Sequence, residues 1–156
     1  MKVGVESSVG DAPPPRAVMR IVNPMMRIVL RTPLARLIRP LALLDFEGRR
    51  TGRHRQVVVG WHLIEGAPVV VTPAAWRVNF AEARVATVRW RGRESSWVGT
   101  LETDPSIVAR LVEQMFASGT SARSLALRVP TGHTLTPSDI VETRRGIIRF
   151  APATTP

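Results

Sequence analysis

A chain of 156 residues with 44% apolar side chains is long enough to bury one core and too short for two independent ones. Its formal charge of +10, from 22 basic against 12 acidic residues, gives a basic surface suited to phosphates, anionic lipid or nucleic acid. The lack of cysteine excludes disulfides, thiol nucleophiles and thiolate metal sites, and His54, His62 and His133 lie too far apart in the chain for metal-ligand spacing.

Lys2 is the only lysine, and the rest of the basic residues are arginines. Arginine recognises phosphate and carboxylate through a planar fork, but GC-rich coding also enriches it, so the excess alone establishes only the sign of the surface. No apolar run approaches the roughly 20 residues needed to cross a bilayer, and a cytoplasmic protein is the expectation.

Residues 1–15 carry acids and the run Pro13-Pro14-Pro15, with no basic stretch leading into an apolar one. They are expected to form a flexible arm rather than a signal peptide. Residues 16–39 read as an amphipathic helical segment. On a helical wheel Arg16, Arg20, Arg27 and Arg31 share a side with Asn23, opposite Val18, Ile21, Val22, Met25, Ile28 and Val29. Asn23-Pro24 and Thr32-Pro33 each set proline after a capping residue, which predicts short consecutive helices. Such a segment either lies on an anionic leaflet as a peripheral membrane contact or covers the domain or a dimer partner, and the second is the commoner fate in a compact domain.

From residue 41 the period changes. Stretches 41–46, 55–64, 67–72, 83–90 and 95–103 are short, rich in Val, Ile, Leu and Trp, and separated by turn residues, which predicts strands. Glu65-Gly66 and Arg91-Gly92-Arg93 are hairpin-like connections, so the strands are expected to run antiparallel. Asp104-Pro105 supplies an N-cap and first position for a helix to about Ala117, with Ile107, Val108, Leu111, Val112, Met115 and Phe116 inward and Ser118-Gly119 as its stop. Residues 120–139 are assigned only a short helix or strand and a loop. The stretch VETRRGIIRFA predicts a final strand, with Gly146 as a bulge, and residues 152–156 a tail. The fold class is mainly β (α+β): one domain over 16–151, with an N-terminal helical segment, one connecting helix, and the strands closed into a small barrel.

The stretch EGRRTGRHRQVVVGW, residues 47–61, concentrates Arg49, Arg50, Arg53 and Arg55 around Gly48 and Gly52, then runs into Val57, Val58 and Val59. Glycines permit turn conformations and close approach of backbone N–H groups to a ligand, so the cluster is a candidate anion nest beside an apolar wall. A solvated turn whose arginines only keep the protein in solution is the bland reading of the same residues. No Walker loop and no GxGxxG are present.

GRRTGRHRQVVVGW, followed by a hairpin ending VVVT and then by Trp76-Arg77-Val78-Asn79-Phe80, resembles the deazaflavin-dependent nitroreductase family. The resemblance covers residues 41–92 well, 16–40 in character, and the rest in element order. It implies a split β-barrel that binds coenzyme F-420 and passes a hydride to a quinone, nitro compound or similar small-molecule acceptor, with FMN as the alternative cofactor. It implies that Arg49, Arg50, Thr51, Gly52, Arg53 and Arg55 hold the cofactor's phosphate and oligoglutamate tail. Val57, Val58 and Val59 would flank the ring, and Trp76 and Asn79 would lie near ring and tail; a homodimer is also implied. No catalytic side chain is identified, because the cofactor itself carries the hydride.

Two departures stand out. Only Thr72-Pro73-Ala74-Ala75 precede Trp76, where many family members insert a Gly/Pro-rich loop, and the chain has no tyrosine, where characterised members line the substrate side with tyrosines. They motivate a second reading, a non-catalytic barrel that binds a flavin, haem or fatty acyl chain. Trp76 is equally a core residue, and Asn79 equally a cap for a short helix over 79–83. Specific nucleic-acid binding is not expected, since no recognition motif accompanies the charge.

Overall fold

The computed structural model describes residues 9–11, 27–31 and 41–154. Seven strands form one antiparallel sheet: β2 (Leu41–Glu47), β3 (His54–Gly60), β4 (His62–Ile64), β5 (Ala67–Thr72), β6 (Arg84–Trp90), β7 (Arg93–Glu102) and β9 (Gly146–Pro152). Their spatial order is β3-β2-β6-β7-β9-β5-β4. β3 and β4 therefore sit at opposite ends of the order, yet only Trp61 separates them in the chain. That is satisfied only if the sheet curls until its two edges meet, and the fold is a mainly β split barrel.

Period-two alternation builds the interior. Ala42, Leu44 and Phe46 of β2, Val59 of β3, Val70 of β5, Ala86 and Val88 of β6, and Ile148 and Phe150 of β9 meet inside with Trp61 and Phe80. Gly99 is fixed there by packing: a Cβ would lie 2.7 Å from Phe80 Cδ1 and 2.9 Å from Phe150 Cε1. The alternate residues Val69 and Ile147 face outward, against helix α1 (Pro105–Ala117). The hairpin residues Glu65-Gly66 and Arg91-Gly92 all have positive φ, as the favoured two-residue turns require.

The α1 cap is as expected, Asp104 accepting from the N–H groups of Ser106 and Ile107 at 2.9 and 3.1 Å. Other elements differ from expectation. Residues 55–64 are two strands, because Trp61 turns inward to a ring contact 5.0 Å from Phe150 as the chain crosses the seam. Residues 120–139 hold a 3-10 turn, Ala122–Leu125, and a two-residue strand β8, Leu127–Arg128. A second helix, α2 (Pro137–Thr143), takes VET from the expected last strand; Thr136 and Asp139 cap it reciprocally, and Arg144 ends it at φ 52°. Gly146 opens β9 in register with Thr72 rather than forming a bulge.

Within the expected arm, β1 (Gly10–Asp11) pairs with β8, and Val9 is buried. Of segment 16–39 only residues 27–31 are described: 27–29 are helical, Leu30 packs on Leu43, and Ile28 stays exposed. The remainder lies outside the described residues. Among the described residues no helix is long and apolar enough to cross a membrane.

Candidate functional site

The basic stretch is the β2–β3 turn. Gly48 N–H donates to the Arg53 carbonyl and Gly52 N–H to the Gly48 carbonyl, both at 2.9 Å, and Gly52 takes φ +62°. Arg53 N–H reaches Thr51 Oγ1 at 3.3 Å, and Arg49 N–H reaches Asn79 Oδ1 at 2.9 Å. Four backbone donors of the turn are thus consumed internally. The turn does not offer them as a nest, and anion recognition falls to the arginine side chains.

Asn79 closes the 3-10 turn Ala75–Phe80 and is buried. Besides accepting from Arg49 it donates through Nδ2 to the Trp76 carbonyl at 2.7 Å. It caps no helix over 79–83; it staples the basic turn to the 3-10 turn. Arg84 braces the pair, donating to the carbonyls of Asn79 and Glu47 at 3.0 and 3.2 Å.

Beside this staple lies an open cleft. One lobe of about 320 Å³ is lined by Gly48, Arg49, Arg50, Thr51, Arg55, Val78 and Asn79. A neighbouring lobe of about 370 Å³ shares Arg49, Arg50 and Asn79 and adds Glu82 and Arg84. Gly52 and Arg53 shape the turn and line neither lobe.

The second hollow is the seam itself. Among the described residues no ladder joins β3 to β5 and β3 pairs only with β2, so along its other edge alternate backbone N–H and C=O groups face the gap. The groove there encloses about 510 Å³ between Val57, Val58, Val59 and Gly60 on one side and Val70, Val71 and Thr72 on the other. Trp76 closes one end, its ring 5.8 Å from Phe46 and 6.2 Å from Phe80. It therefore fills the barrel end and lines the groove at once. That volume falls in the range of roughly 300–1,000 Å³ usual for small-molecule sites.

Cleft and groove run along the same two elements. β3 carries Arg55 in the cleft and Val57–Val59 in the groove; the 3-10 turn carries Asn79 in the cleft and Trp76 in the groove. At about 3.3 Å per residue the path from Arg55 to Gly60 is roughly 17 Å long. The sequence motifs thus divide between two hollows that share no lining residue but are carried by the same strand and the same turn.

Several lining residues were not singled out from the sequence. Arg27, His62, Arg145 and Asp11 line the groove. His62 is half-buried, and burial pushes its imidazole below the ordinary value of 6.5, favouring the neutral ring. His133 is hydrogen-bonded to Asp139 at 2.8 Å beside α2 and lines neither hollow. The loop before Trp76 is knit closed: Thr72 Oγ1 accepts from Ala74 N–H at 3.1 Å, and Arg77 Nη1 donates to the Pro73 and Ala74 carbonyls.

A further hollow of about 490 Å³ on the outer face of β2, β3 and β6 is also rich in charge, but its charges are matched locally. His54 meets Asp45 at 3.1 Å and Arg89 meets Glu94 at 2.5 Å. Among the described residues no cluster of His, Asp and Glu could hold a metal ion.

No protein-family model matches this chain, and no curated protein sequence does.

Proposed function

We propose that the protein is an oxidoreductase that binds coenzyme F-420 and transfers a hydride from it to a quinone, nitro compound or similar electron-poor small molecule. The observation that carries this reading is that β3 and the 3-10 turn each contribute side chains both to an arginine cleft and to a largely apolar groove. A polyanionic tail suits Arg49, Arg50 and Arg55, which lie with no carboxylate among the residues of the first lobe. A flat ring suits a groove with a strand edge on one wall and an indole at its end. When bound, the deazaflavin supplies the hydride.

The chain's own residues bind, orient and exclude water. Arg49, Arg50 and Arg55 neutralise phosphate and carboxylates through charge-assisted hydrogen bonds, with the Thr51 hydroxyl beside them. The free edge of Val57–Val59 offers backbone hydrogen bonds that fix the ring's rotation, and Trp76 limits how far it enters. Val70 and Val71 keep that end of the groove dry.

A second reading, a non-catalytic barrel for FMN, haem or a fatty acyl chain, is favoured by one observation. Arg77 occupies the Pro73 and Ala74 carbonyls, so the short loop before Trp76 has its polar groups already engaged. Side-by-side titration with F-420, FMN and haem separates the readings. Saturable quenching of F-420 fluorescence at or below about millimolar concentration supports the first; no quenching, with FMN, haem or acyl binding in its place, removes it.

Two assembly proposals accompany this reading. A homodimer would appear as twice the chain mass in sedimentation. Contact of residues 16–39 with anionic lipid would appear as liposome co-sedimentation lost on deleting residues 1–40, and exposed Ile28 supports an apolar face there.

A further inference from the structure

The lining of the groove also holds a charge arrangement that hydride transfer does not use. Arg145, just before β9, is 4% exposed, and a guanidinium is kept in a protein interior only where its charge is compensated. Its Nη2 donates to the Ala126 carbonyl at 2.8 Å and meets Asp11 Oδ1 at 2.9 Å, while its Nε is buried without a partner. Arg77 likewise has a buried Nε without a partner. Burial lowers the Arg145 pKa, nearby Asp11 opposes that, and Arg77 adds to it. Among the described residues, Asp11 is the only carboxylate within salt-bridge distance of either guanidinium.

Asp11 faces this buried charge from a half-exposed side chain. Among the described residues its strand contributes the pairs Gly10↔Arg128 and Asp11↔Leu127, and the buried Val9 anchors it in the core, so the Asp11 side chain can turn to water while the strand stays in place. Asp11 and Arg145 both line the groove that contains Val57–Val59 and Trp76.

We infer that Arg145 is a carboxylate-binding position in the lining of the seam groove, held by Asp11 as an internal stand-in, and that a small molecule bearing a carboxylate enters by displacing Asp11. Exchange of one carboxylate for another keeps the buried guanidinium compensated throughout, whereas an uncharged ligand either leaves Asp11 in place or strands Arg145. The planar fork of a single guanidinium matches a planar carboxylate, which is the group it already holds. The inference rests on the proposed function only for what the bound molecule then undergoes, where it names the acceptor as a carboxylate-bearing one. Binding at Arg145 requires no cofactor.

The test uses 2-naphthoate and its uncharged isostere 2-naphthamide, titrated into the full chain without cofactor and followed by calorimetry and tryptophan fluorescence. Naphthoate is expected to bind more tightly than the amide. Asp11→Asn removes the competing charge and should tighten naphthoate about tenfold or more while leaving the amide unchanged. Arg145→Gln should erase the preference. Equal binding of acid and amide in Asp11→Asn, no binding of naphthoate to it, or weaker naphthoate binding than in the wild type overturns the inference. If Arg145→Gln does not fold, Asp11→Asn decides: it strands Arg145 in the free protein, so naphthoate should raise its unfolding midpoint and the amide should not, and equal shifts overturn the inference. Failure of the F-420 titration with success here removes the redox reading only, and the reverse removes only this one.

Discussion

The β2–β3 turn and the seam groove both present arginine, under opposite physical conditions. Arg49, Arg50 and Arg55 are exposed, and four backbone donors of their turn are engaged, three within the turn and one on Asn79. Water solvates those guanidiniums, so they cost the fold little and can be turned to whatever anion arrives. Arg145 is buried, and removing its carboxylate would leave a desolvated charge. A polyanionic tail of variable length is matched by the first arrangement; a single carboxylate in one place is matched by the second.

The comparison can be broken most forcefully at the residue that organises the turn. Asn79→Ala leaves the Arg49 N–H and the Trp76 carbonyl without their partner in a part-buried place, and should cost about 2–3 kcal/mol in urea unfolding. It should also weaken F-420 binding, because the arginines lose their frame. Replacing Arg49, Arg50 and Arg55 together by Gln should weaken F-420 binding about a hundredfold at low salt, with the difference shrinking as salt rises. Stability should change by less than about 0.5 kcal/mol per site, as for ordinary surface changes. A large fall in unfolding midpoint would mean that the exposed arginines serve the fold, and the contrast with Arg145 would disappear.

At the groove, Arg145→Met should destabilise by about 1–3 kcal/mol, since the Ala126 carbonyl loses its donor while Asp11 can turn to water. The smallest effect belongs to Asp139, a buried charge with a complete set of partners. Burial raises its pKa, but hydrogen bonds from His133 and from the Thr136 N–H and hydroxyl more than offset this, and the net shift is below 3.8. A depressed folded pKa contributes stability above the unfolded value, and that contribution is lost as pH falls through the folded one. Asp139→Asn should therefore cost about 1 kcal/mol at neutral pH, with the gap from wild type closing as pH drops below 3.8. A gap that persists in acid would assign the cost to packing rather than charge.

Legibility in the sequence followed the range of the interactions. Turn chemistry is local, so Glu65-Gly66, Arg91-Gly92 and the Asp104 cap could be read directly. The capping box of Thr136 and Asp139 was equally local and stood in the sequence as a Thr-Pro-Ser-Asp signal; the apolar VET-to-IIRFA continuity drew that stretch into a strand instead. Trp61 illustrates the opposite limit. Nothing in QVVVGWHLI marks the break in the strand, because the break exists only where one edge of the sheet comes round to meet the other.

The candidate site divides in the same way. Arg49, Arg50, Thr51 and Arg55 are close in sequence, and their charge and spacing were enough to propose an anion cleft. That Asn79 staples the turn, and that Arg145 is held by Asp11, depends on contacts between distant parts of the chain. By itself the sequence determined a mainly β fold, its hairpins, its capped helix and a basic turn beside a valine strand, since propensity, period and charge act over a few residues. Only the tertiary structure decided that four of the turn's donors are already engaged, that among the described residues the seam edge of β3 is unpaired, and that one arginine lies buried there. Closure of the curled sheet sets burial and pairing across the whole chain, and no short window of sequence contains that information.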